Sequence, residues 1–206
     1  LLEYIENQIF IKNLKSVDFP DDKIEIVKRI AEKLMDKNLD SMGIGKALEL
    51  FPDQIKTTYE QAIASNIEPL EFNKVVISGM GGSSNAGKII QSLLERENTV
   101  PITIYNDYGL PKWVDSDTLV VLNSYSGNTE ETLSAYGVAV AVGAQMIGVT
   151  TSGKVAKMIE SGEMKGAIVT AGDTNPSGYP KSGLGLSFGA LFGALTKVGL
   201  VKTSRD

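Results

Sequence analysis

Two hydrophobic rhythms divide the chain. From Asp22 to Lys37 the apolar residues Ile24, Val27, Ile30, Ala31 and Leu34 recur at helical spacing, with charges between them. A second helix is predicted after Pro52, with Ile55, Tyr59, Ala62 and Ile63 on one face. Pro52 suits a first helical turn, where its missing N–H costs nothing. Gly43 and Gly45 punctuate the link between the two helices. Residues 1–70 therefore read as a helical arm that lies on, or leads into, a main body.

From Phe72 the period changes. Val75-Val76-Ile77, Ile102-Thr103-Ile104, Leu119 to Leu122, Met146 to Val149 and Ala167-Ile168-Val169 are short, continuous apolar runs. Helical stretches separate most of them: Ala86 to Arg96, Glu130 to Val142 and Val155 to Glu160. Strands that are apolar on both faces and alternate with helices form a parallel sheet covered on both sides. The expectation for residues 71–206 is an α/β domain, a three-layer doubly wound five-stranded sheet of flavodoxin-like order 2-1-3-4-5. A last helix runs from about Leu184 to Val198. Gly185, Gly189 and Gly193 share one of its faces, where a neighbouring backbone can approach closely. The sheet is the expected neighbour, and a second domain or subunit is the alternative.

Composition narrows the chemistry. The 206 residues include neither Cys nor His. Disulfides, thiolate metal sites, cysteine nucleophiles, Ser-His-Asp triads and imidazole shuttles are thereby excluded for these residues. Any catalysis by this sequence falls to carboxylates, lysine, arginine, hydroxyls and backbone dipoles. A net charge of -5 leaves no basic stripe to displace counterions, so nucleic acid is not an expected partner. The most apolar stretch, Leu184 to Leu195, is shorter than the ~20 residues of a membrane helix. The opening Leu1-Leu2-Glu3-Tyr4 lacks the cationic region and cleavage site of a secretory signal, and the absence of an initiator Met points to a sequence that begins inside a longer one. The expected compartment is the cytoplasm.

Two loops carry the chemistry. Ser78-Gly79-Met80-Gly81-Gly82-Ser83-Ser84-Asn85 follows the first strand, and Asn123 to Glu131 follows the third. In the order 2-1-3-4-5 both loops face the crevice where open α/β sheets bind ligands. Each delivers a helix amino end, with unpaired N–H groups and partial positive charge. The hydroxyls of Ser83, Ser124, Ser126 and Thr129 add short donors, and the combination suits a terminal phosphate. The loops lack the lysine and the magnesium-binding pair of a Walker nucleotide site. Asp107 leaves a dinucleotide-binding alternative open, although Ser84 stands where the third glycine of that fingerprint belongs. Asn128 with Glu131 resembles a capping pair, and Glu130 and Glu131 suit the helix macrodipole better than a general-base role.

These residues match a family. Gly79-Met80-Gly81-Gly82-Ser83, with Ser124-Tyr125-Ser126-Gly127-Asn128-Thr129-Glu130-Glu131-Thr132, resembles the sugar isomerase (SIS) domain. The likeness is narrower to the amino-terminal SIS domain of bifunctional phosphoglucose/phosphomannose isomerases. Tyr105 to Pro111 and Thr150 to Lys154 support it, and it covers roughly residues 39–200. The resemblance implies that Ser83, Ser124, Ser126 and Thr129 hold a substrate phosphate, and that Gly81 and Gly82 form the turn beside the sugar. In the family an arginine follows the proline of the stretch matched by Pro180-Lys181-Ser182-Gly183. Here that residue is Lys181, a point charge without the planar fork; the resemblance implies that it stabilises an enediolate, and a solvated loop cation is the alternative. The implied reaction interconverts glucose or mannose 6-phosphate with fructose 6-phosphate and needs no metal or organic cofactor. The family's base glutamate and ring-opening histidine lie in a second SIS domain. The implied partners are therefore a hexose 6-phosphate and a second SIS domain or a homodimer. A non-catalytic sugar-phosphate sensor is the alternative.

Overall fold

The computed structural model describes Arg29, residues 40–96 and residues 98–201. The helix expected over 22–37 lies outside the described residues, apart from Arg29. The chain divides into two compact units, 1–45 and 46–206. Chain order gives α1 (Ile44–Glu49), α2 (Phe51–Ile63), β1 (Lys74–Ser78), α3 (Gly81–Leu94), β2 (Ile102–Tyr105), β3 (Thr118–Ser124), α4 (Glu130–Val142), β4 (Gln145–Thr150), α5 (Gly153–Glu160), β5 (Lys165–Ile168) and α6 (Leu184–Lys197). All five predicted strands form, within two residues of the apolar runs that announced them.

The strands make one parallel sheet in the order β2-β1-β3-β4-β5. Its register pairs Ser78 with Leu122 and Ser124 with Thr150, so the carboxyl ends of β1, β3 and β4 come level at one rim. Side chains alternate across the sheet and explain the unbroken hydrophobic runs. Val75, Ile77, Leu119, Val121, Ile147 and Val149 face a layer built from α3, α6 and Ala62 of α2. Val76, Val120 and Leu122 face Ala135 and Ala139 of α4 and Val155 and Ile159 of α5. Burial removes the alternation that would mark a half-exposed strand.

The glycine face of α6 meets α2. A Cβ built on Gly189 would lie 2.2 Å from the Ile55 carbonyl oxygen, and one on Gly193 2.8 Å from Ala62 Cβ. The neighbour is neither the sheet nor another subunit. The same contact reorders α2: its most buried positions are Gln54, Thr58 and Ala62, while Ile55, Tyr59 and Ile63 are half-buried. Thr58 Oγ1 lies 2.9 Å from both the Gln54 and Leu186 carbonyls, which is how a hydroxyl fits at a helix–helix seam with so little side-chain bulk.

Candidate functional site

The turn after β1 starts at Gly79, which cannot carry a side chain: a Cβ there would lie 2.7 Å from the Asn123 carbonyl oxygen. Gly81 follows in the left-handed region, at φ 54°. This brings the amino end of α3 beside the end of β3. Asn123, 1% exposed, donates from Nδ2 to the Ser83 carbonyl at 2.9 Å. The Tyr125 N–H donates to Ser83 Oγ at 3.3 Å. The two predicted loops are therefore hydrogen-bonded to each other across the switch point of the sheet.

The loop after β3 is braced in turn by the loop after β4. Thr151 donates to the Tyr125 carbonyl from its N–H at 3.1 Å and from its hydroxyl at 2.7 Å. The Lys154 N–H donates to Asn128 Oδ1 at 3.1 Å, and the Val155 N–H to the Gly127 carbonyl at 3.1 Å. Asn128 thus ties α4 to α5. The expected capping pair does not form: the N-cap of α4 is Thr129, which has no side-chain cap bond, because the Asn128 carboxamide is engaged by the neighbouring loop. The amino end of α3 also lacks a side-chain cap, while α5 receives the Asn128 carboxamide in place of a cap from its own N-cap, Ser152.

These loops wall a cavity of about 250 Å³ lined by Gly82, Ser83, Ser126, Thr129 and Lys181, together with Met80, Tyr125 and Ser187. Five of the seven residues singled out in the sequence meet there. Gly81 sets the turn just outside the wall. Ser124 is buried beneath it, with Oγ 2.8 Å from Thr129 Oγ1 and accepting the Gly127 N–H at 3.1 Å. It orients the Thr129 hydroxyl from below. Lys181 enters on a single turn of 3-10 helix, Pro180–Ser182. Tyr125 and Ser187 are lining residues that the sequence reading did not single out. Tyr125 lies inside the recognised motif, whereas Ser187 sits on α6, whose hydrophobic run masks it.

Glu130 points away from this wall and accepts a hydrogen bond from Tyr108 Oη at 3.0 Å. That bond, and then the negative charge of Glu130, raise the Tyr108 phenol above its ordinary value of 10.0. Glu130→Gln is expected to bring the phenol back down toward that value, as read by NMR titration of Tyr108. An unmoved titration would show that the pair does not form in solution. Asp107 accepts the N–H of Tyr108 at 2.7 Å and does not line the cavity, so the ribose-binding role has no geometric support here. Among the described residues no three metal-ligating side chains cluster, and no helix is long and apolar enough to cross a membrane.

The family model for the SIS domain matches residues 71–157, which include both loops and the strands β1 and β3 that deliver them. The chain carries a SIS domain. Its sequence is 42% identical over 158 residues to a bifunctional phosphoglucose/phosphomannose isomerase of Caldicellulosiruptor bescii, covering 75% of this chain and 45% of that protein. A protein of the same name from Thermoplasma acidophilum is 37% identical over 109 residues, covering 52% of this chain and 34% of that one. The chain thus spans less than half the length of these curated relatives. A solved Clostridium difficile structure, provisionally named a phosphosugar isomerase, shares the fold with a TM-score of 0.60 at 18% identity, over 79% of this chain and 48% of that one. The SIS match stops before Lys181, whose case rests on its place in the cavity wall.

Proposed function

We propose that this SIS domain binds a hexose 6-phosphate as part of a cytoplasmic aldose–ketose isomerase acting on glucose or mannose 6-phosphate, with fructose 6-phosphate as product. The observation that carries this reading is the single cavity shared by Ser83, Ser126, Thr129 and Lys181 at uncapped helix amino ends. Hydroxyls and backbone N–H groups that already stand in place need no reorganisation to receive a dianion. The names of the similar proteins supply the class of sugar and reaction.

In this reading the phosphate sits against Ser83, Ser126 and Thr129, and Ser124 holds the last of these. The open-chain sugar extends toward Lys181. Isomerisation moves a proton between C1 and C2 through a cis-enediol, and charge develops on the carbonyl oxygen as the C–H proton leaves. A fixed cation at that oxygen lowers the barrier, and this is the role assigned to Lys181. As the resemblance to the family implies, the base and the ring-opening acid come in this reading from a second SIS domain or a partner chain; the sequence given contains no histidine and the cavity wall no carboxylate.

Calorimetry tests the reading with glucose 6-phosphate, mannose 6-phosphate, inorganic phosphate and glucose. The three phosphates are expected to bind and glucose is not. Thr129→Val is expected to weaken glucose 6-phosphate about tenfold, equivalent to ~1.4 kcal/mol, without changing the melting temperature by more than a few degrees. Equal binding of glucose and glucose 6-phosphate would exclude a phosphate cradle.

A further inference from the structure

The connection from β5 to α6, residues 169–183, brings Lys181 to the cavity, and α2 holds it at both ends. Gln61 pairs with Thr170 where the connection begins: the Thr170 N–H donates to Gln61 Oε1 at 2.7 Å, and Gln61 Nε2 donates back to the Thr170 carbonyl at 3.3 Å. Seven residues earlier, two turns along the same face, Gln54 holds the end. Gln54 is fully buried, and its Nε2 lies 3.0 Å from the Thr174 carbonyl, 3.1 Å from the Ser182 carbonyl and 3.0 Å from the Ala47 carbonyl. Three acceptors around one carboxamide nitrogen fix its orientation, since Oε1 in that place would face three carbonyl oxygens.

Between these grips the connection is bonded to itself. Ser182 Oγ donates to the Tyr179 carbonyl at 2.8 Å and lies 3.1 Å from Asn175 Oδ1, and Asn175 Nδ2 donates to the Tyr179 carbonyl at 3.3 Å. The Pro180–Ser182 turn therefore behaves as a small unit hung on α2 through the carbonyl of Ser182, the residue next to Lys181. Gly185 makes room for the hook: a Cβ there would lie 2.8 Å from Gln54 Oε1.

We infer that Gln54 is a positioning residue of the cavity, setting where Lys181 stands, so that a helix preceding the matched residues 71–157 governs ligand affinity. The inference rests on the hexose 6-phosphate reading above. A buried amide that merely stabilised the fold would leave binding unchanged once the chain is folded, or would weaken it regardless of Lys181.

A double-mutant cycle on the full chain separates these cases, with glucose 6-phosphate as the probe. Lys181→Met is expected to weaken binding about tenfold and Gln54→Met about fivefold, and the double variant is expected to bind no more weakly than Lys181→Met alone. Independent losses that multiply in the double variant would overturn the inference. So would parental affinity in Lys181→Met, which would leave Gln54 nothing to position. If the parent chain ignores glucose 6-phosphate, the functional reading fails and the inference falls with it. A measurement on the unaltered side chain covers the case in which Gln54→Met does not fold. The Gln54 side-chain amide resonance is expected to shift on adding glucose 6-phosphate to the parent and to stay still in Lys181→Met. A shift in both, or in neither, rejects the coupling.

Discussion

Gly127→Ala is expected to destabilise the chain by about 4 kcal/mol and to abolish measurable binding of glucose 6-phosphate. Gly127 lies at φ 65°, where an L side chain costs about 1–2 kcal/mol. The larger cost is steric. A Cβ on Gly127 would stand 1.8 Å from the Ser152 carbonyl oxygen and 2.8 Å from Thr150 Oγ1. The obstacle is backbone, so no rotamer change relieves it. The loop after β4 must move away, breaking the Val155 N–H bond to Gly127 and the Ser152 hydroxyl bond to the Ser126 carbonyl, which is 3.3 Å long. Ser126 and Thr129 flank this point, so the cradle loses its shape with its support. Gly82→Ala is the matched control. A Cβ there meets nothing within 4 Å, and stability should change by no more than about 0.5 kcal/mol. Denaturant melts and calorimetry on the pair check both statements. A Gly127→Ala chain as stable as Gly82→Ala would show that the two loops do not interlock as described.

The sheet was legible because its strands are buried on both faces. Val75-Val76-Ile77 and Leu119 to Leu122 have no polar alternation to confuse with a surface strand, and every one of them is fully buried. The order 2-1-3-4-5 followed from alternation with helices, and with the order came the meeting of the two loops. What the sequence hid lies where a side chain's role depends on a distant partner. Ser124 and Ser126 read alike as donors, yet β3 carries the first into the interior and leaves the second exposed. Asn128 looked like a helix cap because the sequence does not reveal that α5 begins beside it. Gln54 stands outside the apolar face that periodicity marks on α2. Its burial makes sense only when the Thr174 and Ser182 carbonyls, more than a hundred residues on, are placed around it. Periodicity reports which face of a helix is apolar, and it is silent when the buried face is polar and matched by glycines.

That glycine match leads to a change of opposite sign from the usual rule. Replacing a glycine inside a helix by alanine ordinarily stabilises it by about 1 kcal/mol, through propensity and the entropy of the unfolded chain. Gly189→Ala in α6 is expected instead to destabilise by about 3 kcal/mol. The new Cβ would lie 2.2 Å from the Ile55 carbonyl oxygen and 2.5 Å from Thr58 Oγ1. Relief requires α2 and α6 to separate, which strains the Thr58 bond to Leu186 and moves Gln54 relative to the carbonyls it serves. The propensity gain of the new alanine works against this loss, so a net destabilisation is a lower bound on the cost of the contact. Gly137→Ala on α4 supplies the reference, because Gly137 is exposed and a Cβ there meets nothing within 4 Å. That variant should gain roughly 0.5–1 kcal/mol. Opposite signs for the two substitutions, in urea melts of equal slope, establish that α2 is seated on α6 in solution. Matching stabilisation in both would mean that α2 is detached. The hold on Lys181 would then be lost along with the seam.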